Sequence, residues 1–319
     1  MKKFLSSLKL RLSSRRAVLS CVLLAGLFLA GASRVQIFLY QDPGFQGEWT
    51  GKKKELTLVV RNGSSQQLAD YQLRFELPSN FEGPPFKIVD SQGRELPYCF
   101  EQPSGECGTA PTNTVWFKAS VLPLGETSFR VISGSGSPVN GDGVFVFYDD
   151  FTAKDGTKWR FSPDSIYFHI ENGWMVITRS TLDPELTSKS SFPREGVEVA
   201  TRVYSGPGQC GGCYLSGNPT IVGTFSFGFD YCFCAASIWC KNLYRVSVGP
   251  LGEYTPVFRF YSTHSEACVS GQCFTCDPVD ANGSVGIMYK RGKYAKDHLR
   301  IDFARVRKLA VPEPEVIVK

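Results

Sequence analysis

The sequence predicts an all-β protein made of two β-sandwich domains behind an N-terminal signal or anchor helix. Short segments that alternate apolar and polar residues recur beyond residue 40, which is the period of a strand with one buried face. Glycine and proline number 31 and 19, a composition that suits many short strands joined by tight turns. Because about 280 residues follow position 40, which is more than one ordinary sandwich needs, we expect two domains.

The strand-like segments fall into two blocks. The first block comprises Glu55–Val60, Tyr71–Leu77, Thr114–Val121 and Thr127–Ser133. The second comprises Ile166–Ile170, Trp174–Thr178, Val197–Val203, Thr224–Phe229, Leu243–Val248, Val257–Tyr261, Val285–Lys290 and His298–Val306. Asn172-Gly173 predicts a hairpin in the second block, because both central positions of a type I′ turn need positive φ.

A Gly/Ser-rich stretch at 133–143 separates the two blocks. We therefore place the first sandwich at 44–147 and the second at 148–310. A long hairpin loop inside a single domain is the alternative interpretation of this stretch. The tail at 311–319 is rich in proline and glutamate, which predicts a stiff linker.

The N-terminus predicts export. Basic side chains without any acid precede an uncharged apolar run at 17–32. Positive charge stays in the cytoplasm while the apolar run enters the bilayer, so residues 1–33 form a signal peptide or a membrane anchor. Small residues at the end of the run favour cleavage, whereas the apolar residues 35–40 would lengthen an anchor. Arg15 and Arg16 resemble a twin-arginine signal, but ordinary basic residues of a signal peptide are the simpler interpretation.

The exported part has no excess of basic residues. The chain carries 35 Lys and Arg against 30 Asp and Glu, a formal charge of +5, and the basic residues before position 17 account for this excess. A polyanion-binding protein would concentrate basic residues on a folded face. We therefore expect no nucleic-acid partner.

The cysteines predict disulfides in an oxidising compartment. Of 11 cysteines, one lies in the apolar run and an even number follows it, as expected for an exported chain. Cys99 and Cys107 flank a Pro/Gly stretch and are expected to bond to each other. The other disulfide candidates, which we leave unpaired, are Cys210, Cys213, Cys232, Cys234, Cys240, Cys268, Cys273 and Cys276.

Two Cys-x-x-Cys pairs leave a structural zinc site as the alternative. Cys210 with Cys213 and Cys273 with Cys276 would supply four thiolates. The long gap between the pairs and the oxidising compartment favour disulfides instead. Neither pair opens a helix in a βαβ pattern, so we expect no redox catalysis.

Four segments of the first block resemble a known family in order and spacing. They read KKKELTLVVRNGSSQQLADYQLRFEL, IVDSQGRELPYCFEQ, NTVWFKASVLPLGETSFRV and NGDGVFVFYDDF, and they resemble DUF2341, a domain of unknown function. The resemblance covers about residues 49–150 and implies an Ig-like sandwich. Cys99 and Phe100 depart from the family where an aromatic pair is common.

The second block resembles a concanavalin A-like (laminin-G/glucanase-type) domain, which follows DUF2341 in archaeal and bacterial surface proteins. The resemblance rests on DDFTAKDGTKWRF, the IYFHIENGWMVIT hairpin, GVEVATRV and HLRIDFARVRKLAVPEPEV. It implies a jelly-roll whose relatives bind glycans or proteins. A Cys-rich insertion at 205–278 departs from this pattern.

The same resemblance implies one structural Ca²⁺ where the first and last strands of the domain meet. Its ligands would be Asp149, Asp150 and Asp302. Acids that accept hydrogen bonds from turn N–H groups are the alternative interpretation. No other cofactor is expected.

The sequence lacks a recognised catalytic constellation. Glycosidases with this fold carry Glu-x-Asp-x-x-Glu on one strand, which places two carboxyls about 5 Å apart, and this run is absent. Glu195 and Glu198 are three residues apart, so a strand would point them to opposite faces. We expect both to be solvated acids. The 3 histidines suggest no other active site. The sequence also has no Gly-x-Ser-x-Gly motif and no glycine-rich phosphate-binding motif, so we expect no enzyme.

Glycan binding requires an exposed aromatic face beside polar groups. Trp239, Tyr254 and Trp174 are the candidates, with core packing as the alternative, above all for Trp174. We therefore expect a non-enzymatic extracellular surface protein, secreted or anchored with its N-terminus in the cytoplasm, that binds a cell-surface glycan or protein by lectin-like adhesion. The membrane is a further partner if the N-terminal segment is uncleaved.

Two alternative functions stay open at this point. The first is a structural subunit of an extracellular filament, sheath or cell-wall layer, in which the sandwiches mediate assembly. The second is a glycoside hydrolase with an unrecognised site.

Overall fold

In the computed structural model, the described part of the chain is almost entirely β-structure. The structure describes residues 53–178, 184–205, 212–217, 225–230, 235–240, 245–250, 252–278, 282–288 and 299–319. These residues belong to one compact unit, Pro43–Lys319. The predicted N-terminal signal or anchor lies outside the described residues. Within them, no helix has the length and apolar character needed to cross a membrane.

The first sandwich consists of two antiparallel sheets. Its strands are β1 (Glu55–Asn62), β2 (Leu68–Glu76), β3 (Phe86–Val89), β4 (Glu95–Leu96), β5 (Tyr98–Glu101), β6 (Cys107–Gly108), β7 (Thr114–Val121), β8 (Gly125–Ser133) and β25 (Glu315–Val318). A 5-stranded sheet has the order β25-β1-β8-β3-β4, and a 4-stranded sheet has the order β2-β7-β5-β6. Leu58 and Phe117 contribute to the apolar core between these sheets, as their alternating pattern predicts.

The second sandwich follows a single helical turn, α1 (Gly141–Val144). Its elements are β9 (Phe147–Asp149), β10 (Trp159–Ser162), a 3₁₀ turn (Ser165–Tyr167), β11 (Phe168–Glu171), β12 (Trp174–Ile177), β13 (Glu185–Ser188), β14 (Val197–Ser205), β15 (Gly212–Gly217), β16 (Phe225–Asp230), β17 (Ala235–Cys240), β18 (Arg245–Pro250), β19 (Glu253–Tyr254), β20 (Val257–Phe260), β21 (Ser265–Val269), β22 (Gln272–Cys276), β23 (Gly283–Met288) and β24 (Leu299–Lys308). They form two sheets.

The 7-stranded sheet has the order β10-β13-β23-β15-β16-β17-β18. The 9-stranded sheet has the path β11-β12-β24-β14-β20-β21-β22, with β19 on β14 and β9 on β24. Leu186 and Ile287 of the first sheet meet Val199 and Ile301 of the second in one apolar core. The prediction of a nearly all-β protein with several sheets is therefore confirmed.

The predicted hairpin is confirmed, since Asn172 and Gly173 have φ values of 53° and 79° between β11 and β12. The segment 205–278, expected to be an insertion, instead supplies β15–β18 to the 7-stranded sheet and β19–β22 to the 9-stranded sheet. The strands predicted at Thr224–Phe229, Leu243–Val248 and Val257–Tyr261 overlap β16, β18 and β20, so only the assignment of the segment as an insertion is corrected.

The C-terminal tail is a strand, where the sequence predicted a linker. β25 pairs with β1, with Leu58 opposite Val318 and Arg61 opposite Glu315. Apolar residues at alternate positions decide this outcome, because Val316 and Val318 pack against the core of the first sandwich. The prolines restrict only the residues that precede the strand.

The predicted disulfide between Cys99 and Cys107 is confirmed, with Cα atoms 5.5 Å apart. Cys268 bonds to Cys273 across the β21–β22 hairpin, and Cys276 is also disulfide-bonded. The zinc alternative is therefore wrong, because its second Cys-x-x-Cys pair has no free thiolates. These disulfides indicate an oxidising environment.

The remaining predicted disulfide cysteines cannot be paired from the described residues. Cys210, Cys232 and Cys234 lie outside them, as do the side chains of Cys213 and Cys240. Their participation in disulfides stays a prediction.

The outer face of β24 joins the two sandwiches. The Nη1 atom of Arg305 donates a hydrogen bond to the backbone oxygen of Gly105 at 3.0 Å and lies 3.3 Å from Oε1 of Glu101. The guanidinium carbon also lies 5.2 Å from the ring centre of Trp116. Because these three partners all belong to the first sandwich, Arg305 ties one sandwich to the other.

Arg307, the next outward residue of β24, belongs to a buried ion pair. Its Nε and Nη2 atoms donate to the two carboxylate oxygens of Glu198 at 2.7 and 2.9 Å, and Arg259 Nε donates to the same carboxylate at 2.9 Å. Burial alone would raise the pKa of Glu198, but these hydrogen bonds and charges hold it at about 2. The expectation of a solvated Glu198 is wrong, since the residue is 4% exposed.

We expect Glu198→Gln to lower the free energy of unfolding by about 3 kcal/mol at pH 7, because Arg307 and Arg259 would lose their shared buried carboxylate and keep only the more exposed Glu313 and Glu266. Urea titration measures this difference. Glu195→Gln, on an exposed side chain of the same segment, is the matched control and should change stability by less than about 0.5 kcal/mol.

The penalty of Glu198→Gln should shrink in acid. The carboxylate of Glu198 stabilises the fold above the unfolded-state pKa of about 4.3, and this contribution is lost as the pH falls through the folded pKa of about 2. Equal stabilities of wild type and variant at pH 7 would contradict a role for this ion pair.

Candidate functional site

Side chains from several strands of the 9-stranded sheet converge beside the first sandwich, on the face opposite the core. Arg202 lies on β14, and Trp174 lies on β12. Arg202 of β14 is paired with Phe303 of β24, and the next residue, Val203, is paired with Ile301. The β24 residue between these two partners has no partner on β14. Asp302 is therefore the extra residue of a β-bulge, a distortion that redirects a side chain.

Arg202 is the centre of this group. Its Nη2 atom lies 2.6 Å from Oε1 of Glu253, and its Nη1 atom donates to Oδ2 of Asp302. Its guanidinium carbon lies 5.1 Å from the ring centre of Trp174, which is a cation–π arrangement. Burial lowers the pKa of Arg202, but the carboxylates of Glu253 and Asp302 raise it by a larger amount. The net shift of the pKa is therefore upward. A permanent positive charge therefore holds the half-buried indole.

The first sandwich contributes Glu106, from the loop that the Cys99–Cys107 disulfide closes. The carboxyl of Glu106 lies beside Asp302 and accepts a hydrogen bond from Ser104 Oγ at 3.1 Å. Burial and then the charge of Asp302 raise the pKa of Glu106 to about 7, because two adjacent carboxyls resist joint ionisation. We call Arg202, Trp174, Glu253, Asp302 and Glu106 the Arg202 cluster.

The three aromatic candidates for glycan binding differ in their surroundings. Trp174 belongs to the Arg202 cluster. Tyr254 is paired with Val203 and packs against the core of the second sandwich, on the other side of the sheet, and burial raises its pKa. Trp239 lies on β17, and its side chain lies outside the described residues. Its role in binding stays a prediction.

The three predicted calcium ligands do not assemble into one site. β9 does pair with β24, as the resemblance implies. However, Asp149 accepts hydrogen bonds from the backbone N–H of Phe151 at 2.8 Å and from Trp159 Nε1 at 2.5 Å. The carboxylate of Asp150 caps its own turn, and Asp302 belongs to the Arg202 cluster. No group of three or more acids, histidines or cysteines among the described residues could hold a metal ion, so these residues do not fit Ca²⁺.

Sequence reasoning missed Arg202, Glu253 and Glu106. The alternation in GVEVATRV does predict that Arg202 points to the face opposite the core. No local pattern marks Glu106, because it reaches the cluster from another domain.

Comparison with protein families matches part of the chain. Residues 72–162 match DUF2341, described as a domain of unknown function, which confirms the resemblance over those residues. Comparison with curated proteins gives no match.

Solved structures of glucanases are similar to about half of the chain. The Bacillus licheniformis β-glucanase is 12% identical with a TM-score of 0.41, over 51% of this chain and 97% of that one. The Pyrococcus furiosus endo-β-1,3-glucanase is 13% identical with a TM-score of 0.40, over 52% and 95%. LamAcat from Zobellia galactanivorans is 12% identical with a TM-score of 0.39, over 51% and 97%. Likeness at this level carries no conclusion about activity.

We expect the stability of the wild type to fall as the pH rises from about 5 to about 8, relative to Glu106→Gln. Folded Glu106 keeps its proton until the pH reaches about 7, whereas an unfolded glutamate releases it near pH 4.3, so ionisation favours the unfolded chain. Glu106 is partly exposed, so the expected difference is on the order of 1 kcal/mol.

Urea titrations at pH 5 and pH 8 measure this effect. Glu195→Gln, on an exposed carboxylate, should keep the pH dependence of the wild type. Parallel stability curves for wild type and Glu106→Gln would contradict the carboxyl pair.

Proposed function

We propose that the protein is a non-enzymatic extracellular carbohydrate-binding protein and that the Arg202 cluster is its binding site. The observation that carries this proposal is the half-exposed indole of Trp174, held in place by the Arg202 guanidinium at 5.1 Å. An aromatic face takes the C–H surface of a sugar ring. Charged groups beside it make strong hydrogen bonds to the hydroxyls.

The charged neighbours suit this role. Glu253 has a side chain that is 48% exposed, so its free oxygen is accessible to a ligand. The Glu106 carboxyl donates a hydrogen bond when it is protonated and accepts one when it is ionised. A sugar hydroxyl both donates and accepts, so the cluster offers complementary groups around one aromatic platform.

The export pattern at the N-terminus and the disulfides support a location outside the cytoplasm. There the second sandwich acts as a lectin-like, concanavalin A-like domain, and the DUF2341 sandwich supports it. The partner is a cell-surface glycan or protein, which gives the protein an adhesive role.

We expect Trp174→Ala to weaken glycan binding at least tenfold, or by about 1.4 kcal/mol, because truncation of a central aromatic anchor has an effect of this size. A glycan array of neutral oligosaccharides finds a ligand for the full chain, and titration calorimetry with that oligosaccharide measures the loss. Trp174→Phe should keep most of the affinity. Leu124→Ala, at a residue 71% exposed on the first sandwich, should keep all of it.

Two outcomes would contradict this proposal. One is a wild-type chain that binds no oligosaccharide on the array. The other is an unchanged affinity of Trp174→Ala in a variant whose circular dichroism shows a folded protein.

A glycoside hydrolase is the second candidate, favoured by the Glu106 carboxyl with a pKa of about 7 beside Asp302. Against it, Asp302 and Glu106 lie side by side, whereas a retaining glycosidase holds its two carboxyls about 5 Å apart with the substrate between them. Release of reducing ends from the bound oligosaccharide, lost in Glu106→Gln while binding persists, would favour the hydrolase. Binding without release would favour the non-enzymatic function.

A further inference from the structure

Among the strands that the structure describes, β25 is the edge of the 5-stranded sheet and pairs with β1 alone. Thr57 and Lys319 exchange backbone hydrogen bonds of 3.2 and 2.9 Å. In an antiparallel ladder the direction of the N–H and C=O groups alternates along the strand. Ile317 therefore bonds to β1, whereas Val316 and Val318 direct their backbone groups away from it. Among the described residues these outward groups have no backbone partner.

The side chains of β25 also favour a further strand. Val316 and Val318 face the core of the first sandwich but are only half-buried, and Ile317 is half-buried on the opposite face. β-branched residues are well suited to cross-strand pairs. An edge of this composition is a template for pairing with another chain.

We propose that β25 is a homodimer interface, in which the β25 strands of two copies of this chain pair antiparallel about a two-fold axis at Ile317. Val316 of each copy lies opposite Val318 of the other. Since both residues direct their backbone groups outward, each such pair exchanges two hydrogen bonds. The two 5-stranded sheets then form one continuous sheet, and the half-buried valines cover one another.

Charge complementarity selects a second copy as the partner. The same register places Glu315 of each copy opposite Lys319 of the other, so the strand is complementary to itself. Sliding one strand by two residues brings Pro314 into the ladder, and proline has no N–H to donate. A two-fold axis requires the same patch on both subunits, and the sequence EVIVK satisfies this condition.

Sedimentation equilibrium of the full chain in mild detergent tests the proposal. The pairing area is small, so we expect a weak dimer whose dissociation constant lies below about 1 mM. Lys319→Glu and Glu315→Lys each convert two attractive charge pairs into repulsive ones, and each should weaken the dimer roughly tenfold. Glu195→Lys, a charge reversal at an exposed side chain outside the 5-stranded sheet, should leave the dissociation constant unchanged.

A mixture of the two single variants distinguishes pairing of β25 from other association. In the mixed dimer, positions 315 and 319 are both lysine in one variant and both glutamate in the other, so the mixture should associate more strongly than either variant alone. The double variant Glu315→Lys/Lys319→Glu restores both attractive pairs and should recover the wild-type constant. Hydrogen exchange should show concentration-dependent protection at the amides of Val316 and Val318 but not of Ile317.

Three results would overturn the proposal. The first is a chain that stays monomeric up to about 1 mM. The second is a dimer that is unaffected by Lys319→Glu. The third is a dimer in which the amides of Val316 and Val318 exchange as fast as they do in the monomer.

Discussion

Two arginines on the outer face of β24 set the arrangement on which the rest of the molecule depends. The side chains of Arg305 and Arg307 are 8% and 10% exposed, and a buried guanidinium needs carboxylates close by because its desolvation is costly. Glu101 of the first sandwich and Glu198 of the second provide them. The sandwiches therefore share one buried, charged interface in place of a flexible connection.

This interface brings the Arg202 cluster together. Asp302 lies on the same strand as the two arginines. Glu106 is the residue after Gly105, whose backbone oxygen accepts a hydrogen bond from Arg305. The backbone N–H of Cys107 donates to the hydroxyl of Tyr148 at 2.9 Å, so the disulfide loop is also tied to the start of the second sandwich. An oxidising compartment thus contributes to the geometry of the cluster, because the Cys99–Cys107 bond holds Glu106 beside Asp302.

Local patterns predicted much of the fold but little of the site. Alternation identified β1 and β14, and the Asn172-Gly173 pair identified a hairpin, since a turn of this kind depends on two adjacent residues. Glu198 was misjudged because alternation shows which face a side chain takes and not what covers that face. Glu106 and β25 depend on contacts between residues far apart in the chain, which no local pattern records.

Calorimetric unfolding of the wild-type chain in oxidising buffer at pH 7 tests the shared interface most directly. A single transition, with equal calorimetric and van't Hoff enthalpies, is the predicted result, because unfolding of the first sandwich alone would remove Glu101 from Arg305 and expose the outer face of β24. Two separate transitions, one for each sandwich, would contradict the account.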